Sequence, residues 1–268
     1  MSIIKALLFM LIFLPASLCN AQTINYQESG EIQKIFSSAG VSGTFILYDV
    51  REDSFIGYNL PRAQTRYIPA STFKIPNSII MLSLGIVKDV DEIIHFEKPE
   101  IISPAWNKDM SLREAIKVSN LPLYQHLARQ VDLNTMQEQV EKFAYGNSKV
   151  GKTIDNFWLC GPLEISAVEQ CEFLAKLAQK KLPLAKKVQE TVAEITVVEK
   201  NSAWTLHAKT GVADAYSPYL GWYVGWLEKD GRLYTFALNM DLPDPEADYP
   251  KRGQLSRSSL AALGLIDK

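Results

Sequence analysis

Pro69-Ala70-Ser71-Thr72-Phe73-Lys74-Ile75-Pro76-Asn77-Ser78-Ile79-Ile80-Met81-Leu82 reads as the opening turns of a helix. A Ser/Thr start is followed by an apolar run with no glycine until Gly85, so the spacing predicts a helix over 71–87. Pro76 sits early in that helix, where a missing N–H costs least. Ser71 and Lys74 are three apart, hence on one face and within reach of each other. Working outward, 44–50 reads as a strand, the polar Arg51-Glu52-Asp53 as a turn and 54–60 as a second strand of a hairpin. Beyond the central helix the pattern is helical at 111–118 and 133–143. A further helix starts at Ser166, where Ser166 and Glu169 form a capping box ahead of Cys171, Phe173, Leu174 and Leu177. The chain then returns to strands at 203–208, 220–227 and 232–240, with Asp230-Gly231 as the hairpin turn between the last two, and ends in a helix from about 253 to 263. Strands at both ends around a helical middle predict an α/β protein of the α+β type. Its antiparallel sheet is closed by the N- and C-terminal segments, with an inserted, mostly helical lobe.

The 268 residues carry 28 Lys+Arg against 30 Asp+Glu, 47% hydrophobic and 22% charged residues. This composition excludes a disordered, collagen-like or coiled-coil chain. A net charge of −2 leaves no basic footprint for nucleic acid. Repeats, low-complexity tracts and linkers are absent from the sequence, so the two lobes form one unit.

Lys5, the apolar run from Ala6 to Leu14, Pro15 and the small residues ending at Ala21 describe a secretory signal peptide over 1–21, cut after Ala21. The run is too short for the ~20 residues that span a bilayer, although an N-terminal anchor is the alternative reading. Cys19 raises a lipoprotein option that the bulky Leu18 before it disfavours. The mature chain, 22–268, is then a secreted, periplasmic domain with no membrane span. Cys160 and Cys171 remain in a compartment that permits a disulfide; two buried free thiols are the plainer reading, and sequence leaves the pairing open. Oligomeric state is equally open, a homo-oligomer included.

The chemistry narrows by elimination. The chain has no HExxH or CxxC, and His95, His126 and His207 are scattered, so no metal is expected and each His reads as structural or surface. There is no G-x-S-x-G elbow and no GxGxxG. What remains is Ser71-Thr72-Phe73-Lys74. An uncharged Lys can serve as the base a serine nucleophile needs, and a helix N-terminus favours negative charge developing beside it. The pattern alone is cheap: such a chain holds about one Ser-x-x-Lys by chance, and Ser2-Ile3-Ile4-Lys5 is one. The rarer second element is Lys209-Thr210-Gly211, expected at the end of the strand that precedes it. There it would set a cation and a hydroxyl along an open edge, and the glycine would leave room for a substrate against the backbone. Ser-x-x-Lys followed by Lys-Thr-Gly is the signature of the penicillin-recognising serine enzymes.

Ser-Asp-Asn, the middle element of that signature in class A β-lactamases, is missing; Ser119-Asn120-Leu121 stands in its place. With Tyr145-Gly146-Asn147, Phe157-Trp158-Leu159 and Gly221-Trp222-Tyr223-Val224-Gly225-Trp226 added, the chain closely resembles the class D (oxacillinase-type) serine β-lactamases over essentially 44–265. The resemblance implies the penicillin-recognising serine enzyme fold and hydrolysis of a small-molecule β-lactam through an acyl-enzyme on Ser71. It implies Lys74 as general base in the form of its carbamate (N6-carboxylysine), made with CO2 or bicarbonate and no other cofactor. Physical chemistry agrees, since only a neutral amine attacks CO2 and burial disfavours the charged form of a lysine. By the same resemblance Ser119 relays a proton to the leaving nitrogen, the Trp158 indole donates to the carbamate, and Lys209, Thr210 and Arg252 hold the substrate carboxylate. Gly211 and Val212 line the substrate, the N–H groups of Ser71 and Val212 forming the oxyanion hole. Phe73, Val118, Leu121 and Trp158 are the expected apolar walls around Lys74. Arg252 is placed by counting back from Gly264, and Arg257 is its competitor. Tyr145 and Asn147 receive no catalytic role.

One departure stands out. The family's Ser-x-Val reads Ser119-Asn120-Leu121, an added methylene beside the modified lysine, which a tight pocket feels. It bears on deacylation and substrate range rather than on acylation. Two other functions share the same motifs: a penicillin sensor that keeps its acyl group, and a D,D-peptidase acting on cell-wall peptides.

Overall fold

The computed structural model describes residues 24–100 and 103–267; the signal peptide read over 1–21 lies outside them. In chain order the elements are β1 (Tyr26–Glu28), α1 (Gly30–Ala39), β2 (Gly43–Asp49), β3 (Ser54–Tyr58), α2 (Leu60–Gln64), a 3-10 turn (Ala70–Phe73), α3 (Lys74–Ser83), β4 (Ile93–Ile94), a second 3-10 turn (Pro104–Trp106), β5 (Met110–Ser111), α4 (Leu112–Lys117), α5 (Leu121–Ala128), α6 (Leu133–Lys142), α7 (Ala167–Ala178), α8 (Lys186–Ile195), β6 (Val197–Lys200), β7 (Trp204–Ala213), β8 (Tyr219–Lys229), β9 (Arg232–Leu242) and α9 (Pro245–Ala262). The main sheet has seven strands in the order β1-β3-β2-β9-β8-β7-β6. β2 pairs antiparallel with β9, from Gly43↔Met240 to Asp49↔Tyr234. The two ends of the chain thus close one sheet, as the sequence predicts, and β4 to α8 form the helical lobe inserted between them. The edge pair β1–β3 is parallel, an exception to the antiparallel expectation.

The sheet is buried on both faces, and the strands alternate accordingly. On β8, Leu220, Trp222, Val224 and Trp226 join the core under the helical lobe, whereas Tyr223 and Leu227 join the core under α1 and α9. Asp230 and Gly231 both have positive φ (51° and 71°), the geometry that lets a two-residue turn follow the twist of β8 and β9.

Three boundaries differ from expectation. The strand expected at 203–208 runs on to Ala213, because β8 pairs with it through Ala213↔Leu220; Lys209-Thr210-Gly211 therefore lies inside β7 and not at its end. The last helix starts at Pro245, not near 253. Asp244 caps it by accepting from Ala247 N–H, and Pro250 is carried within it rather than marking its start. The 71–87 helix opens as a tight 3-10 turn and becomes α-helical only from Lys74 to Ser83. Cys160 is exposed and Cys171 buried, and both are free thiols, so Cys160 departs from the buried reading. No helix among the described residues is long and apolar enough to cross a membrane.

Candidate active site

The 3-10 turn places Ser71 at the junction of the helical lobe and the sheet. Ala70, just before it, adopts φ 48°, a left-handed conformation that strains a non-glycine residue, and its N–H is held by the Trp158 carbonyl at 2.8 Å. Ser71 is half-buried, whereas Lys74, one turn on, is 1% exposed. Lys74 Nζ donates to Ser71 Oγ at 2.7 Å. Burial, and then the nearby Lys209 cation, hold the Lys74 ammonium well below the usual lysine range. A neutral amine that touches a serine hydroxyl is a base in position.

The walls around Lys74 only partly match expectation. Phe73 and Trp158 are fully buried and stacked, with ring centroids 5.6 Å apart. Leu121 is half-buried as the first residue of α5. Val118 is 39% exposed and so is no wall; its carbonyl instead accepts from Trp106 Nε1 at 2.9 Å. The sequence reading missed Tyr124, whose ring centroid lies 5.4 Å from Lys74 Nζ. Its hydroxyl is 2.8 Å from Ser78 Oγ, and Ser78 Oγ donates to the Lys74 carbonyl at 2.7 Å, so Tyr124 is the donor of that pair. Most telling is Trp158 Nε1: a buried indole N–H with no hydrogen-bond partner among the described residues. A buried unpaired donor costs ~1–3 kcal/mol. Trp158 stacks on Phe73, the residue before Lys74, and a carboxylate carried on that lysine is the kind of acceptor that would relieve the indole, so these residues fit a carbamate.

The second group converges from three segments. Ser119 joins α4 to α5 with φ 56°, another strained non-glycine position. Its Oγ accepts from Lys209 Nζ at 3.0 Å. Lys209 also donates to the Thr210 carbonyl at 3.0 Å and lies 3.4 Å from Thr210 Oγ1. Burial, helped by the Arg252 cation, pushes Lys209 down to about 7. Arg252 reaches β7 from α9 and donates from Nη1 to the Gly211 carbonyl at 2.8 Å. Gly221 makes this approach feasible, since a Cβ there would sit 2.7 Å from Arg252 Cδ. Arg257 is engaged elsewhere, with Nη1 2.5 Å from Glu199 Oε2. Of the two arginines, then, the fold brings Arg252 to Lys209-Thr210-Gly211.

Gly211 packs closely against the turn that carries Ser71. A Cβ on Gly211 would lie 3.1 Å from the Pro69 carbonyl oxygen and 3.2 Å from Thr72 Cγ2. A side chain there would crowd the Ser71 turn, so the glycine admits the close approach of that turn. β6 pairs with β7 only over Thr205 to His207, which leaves the Lys209–Ala213 edge uncovered by that strand.

Tyr145-Gly146-Asn147 holds the scaffold around Trp158. Asn147 accepts from Glu164 N–H and Lys149 N–H, both at 3.1 Å, and donates to the Pro162 carbonyl at 2.8 Å. Gly146 has φ 56°, and a Cβ there would fall 2.0 Å from the Glu164 carbonyl oxygen. Gly146→Ala is expected to destabilise the fold by at least ~2 kcal/mol; a urea midpoint equal to wild type would refute that account. Among the described residues no group of three or more His, Cys, Asp or Glu is placed to hold a metal ion.

Comparison with known proteins fits this geometry. Residues 25–261 match the family model of the penicillin binding protein transpeptidase domain. The chain is 42% identical over 236 residues to Beta-lactamase OXA-5 of Pseudomonas aeruginosa, covering 87% of this chain and 88% of that protein. It is 37% identical over 234 residues to Beta-lactamase OXA-48 of Klebsiella pneumoniae, again 87% and 88%. The structure is similar to that of FUS-1 (OXA-85), a class D β-lactamase from Fusobacterium nucleatum subsp. polymorphum, at TM-score 0.86 and 43% identity, covering 90% of this chain and all (100%) of that one. With the ordered motifs, the sheet and these relatives in agreement, the chain belongs to the class D β-lactamases.

Proposed function

We propose that this chain hydrolyses β-lactam antibiotics through an acyl-enzyme on Ser71. The observation that carries this reading is the 2.7 Å contact between Ser71 Oγ and a buried Lys74 Nζ. In the reaction Ser71 Oγ attacks the lactam carbonyl carbon and its proton passes to the base at residue 74. The N–H groups of Ser71 and Val212 would receive the developing oxyanion. The C–N bond then breaks, and Ser119 gives its hydroxyl proton to the leaving nitrogen. Ser119 Oγ accepts from Lys209 Nζ, so its own hydrogen is free for that transfer and Lys209 can restore it. The carbamate on Lys74, made with CO2, would supply a carboxylate-type base. Lys209, Thr210 and Arg252 would hold the substrate carboxylate. The chain would be exported, cut after Ala21, and act on small-molecule substrates in the periplasm as residues 22–268. Repeated turnover of a chromogenic cephalosporin tests the reading; a single stoichiometric burst with no further turnover would instead make it a sensor.

The clamp yields a separate expectation. Lys209→Ala and Arg252→Ala should each lower kcat/KM by ~1.5–3 kcal/mol, the worth of a charge-assisted bond. Arg257→Ala should do little, because its partner is Glu199 on the surface. A sensitive Arg257 with an indifferent Arg252 would overturn the placement. Because Lys209 is pushed down to about 7, raising the pH neutralises it in the free enzyme. The alkaline limb of kcat/KM should therefore fall as pH rises above neutrality.

A further inference from the structure

Tyr145 is the part of the Tyr-Gly-Asn motif for which the chemistry above finds no use, and it is fully buried. Its hydroxyl accepts from Gln170 Nε2 at 3.1 Å. The same Nε2 donates its other hydrogen to Thr72 Oγ1 at 2.9 Å. The Thr72 hydroxyl cannot be the donor of that pair, since it spends its hydrogen on the Pro69 carbonyl at 2.7 Å. The Pro69 carbonyl also accepts from Thr72 N–H at 3.2 Å, which closes the turn over Ser71. Direction is therefore fixed along the whole chain of bonds: Gln170 gives to Tyr145 and to Thr72, and Thr72 gives to Pro69.

Gln170 is itself held from outside. It lies on the first turns of α7, one residue after Glu169. Glu169 completes the capping box with Ser166 and accepts from Arg66 Nη2 at 2.5 Å. The far side of the turn is the surface that β7 packs on, with the Gly211 Cβ position 3.1 Å from the Pro69 carbonyl oxygen and 3.3 Å from Thr72 N. How tightly 69–72 closes thus sets how near Ser71 comes to Val212 across the turn.

We propose that Gln170, braced by Tyr145, is a positioning residue that latches the nucleophile turn through Thr72, and so holds the Ser71 hydroxyl in line for its attack on the lactam carbonyl. The inference rests on the proposed function and deepens it. Neither Gln170 nor Tyr145 touches Ser71 or Lys74 in the bonds described, so the latch acts on acylation and leaves the residue 74 base untouched. Buried amide-to-hydroxyl bonds of this kind cost more to leave half-made than to omit.

The test uses the full mature enzyme and a fluorescent penicillin in stopped flow, which separates acylation from deacylation. Thr72→Val and Gln170→Met should each slow acylation about tenfold and leave deacylation within about twofold. Acting through one latch, the pair combined should be no slower than either alone. Thr72→Ser, which keeps the hydroxyl, should restore the rate. Tyr145→Phe is the milder variant should Gln170→Met fail to fold, and it should slow acylation a few-fold. Without substrate, amide hydrogen exchange over 69–74 should quicken in Gln170→Met. Wild-type acylation in Thr72→Val, equal losses in both steps, additive losses in the double variant, or a Thr72→Ser as slow as Thr72→Val would each overturn the latch. A wild type that never acylates would sink the proposed function instead, and the exchange experiment would still decide the latch.

Discussion

Ser71→Ala should fold like the wild type and lose at least ~10⁴-fold in turnover. The fold should tolerate the change because Ser71 is half-buried and its side-chain bond is to Lys74 Nζ, whose charged form burial disfavours. What the change removes is the atom that attacks. The structure also presents a rival that the sequence did not: Ser119 Oγ lies 3.0 Å from Lys209 Nζ, so two serines in this site sit beside a depressed lysine. Local geometry separates them. Ser71 is in a 3-10 turn at the start of α3, at the positive end of that helix's dipole, which favours an oxyanion, and its lysine is the more deeply buried. Ser119 sits between the C-terminal end of α4 and the N-terminal end of α5, where the two dipoles oppose each other. Electrospray mass after a minute with excess penicillin decides between them. Ser71→Ala should show no adduct, whereas Ser119→Ala should still be acylated, though more slowly. An adduct on Ser71→Ala at the wild-type rate would move the nucleophile to Ser119.

What could be read from sequence was local chemistry. The capping box of Ser166 and Glu169 forms as expected, with both reciprocal bonds present. The Asp230-Gly231 turn likewise needs only its own two residues. The sequence pattern gives no helix at α5 although Asn120 caps it and Pro122 follows at its start: Asn120 and Leu121 read as part of the Ser119-Asn120-Leu121 motif, and the apolar run Leu121 to Leu123 shows no polar face. α8 has no side-chain cap at all, so nothing marks where it begins. The site divides the same way. Ser71 and Lys74 meet because one helical turn joins them, a fact of spacing. Gln170 meets Thr72 across 98 positions, and Tyr124 meets Ser78 across 46. No periodicity encodes such pairs, because only the tertiary fold brings them together. Gly211 shows a subtler limit: the sequence reading assigns its missing side chain to substrate room, and only the structure shows how closely the Ser71 turn packs against it.

Trp158→Phe separates two states of Lys74 by the sign of its effect. If Lys74 is a bare amine, the Trp158 Nε1–H is a buried donor without an acceptor, and replacing the indole with a phenyl ring removes that cost. The variant would then be as active as wild type and, per hydrogen bond left unmade, ~1–3 kcal/mol better off less the packing lost with the smaller ring. If Lys74 carries a carbamate, the indole donates to a charged group worth ~1.5–3 kcal/mol, and its loss should slow deacylation about tenfold to a hundredfold while acyl-enzyme accumulates. The second outcome is the expected one. Its pH dependence has a definite sign. Carbamate formation consumes the neutral amine and releases a proton, and burial shifts Lys74 toward that neutral form. Acid reverses both steps, so activity should fall as pH drops below neutrality, and added bicarbonate should recover part of it. Trp158→Phe should need more bicarbonate than wild type for the same recovery. Leu121→Val should shift that requirement without abolishing activity, because it alters volume at the start of α5 and no titrating group. Carbon-13 NMR after incubation with labelled bicarbonate reads the group directly. A carbamate resonance should appear in wild type, weaken in Trp158→Phe and vanish in Lys74→Ala. A fully active preparation with no such resonance and no response to bicarbonate would make the unmodified Lys74 amine the base.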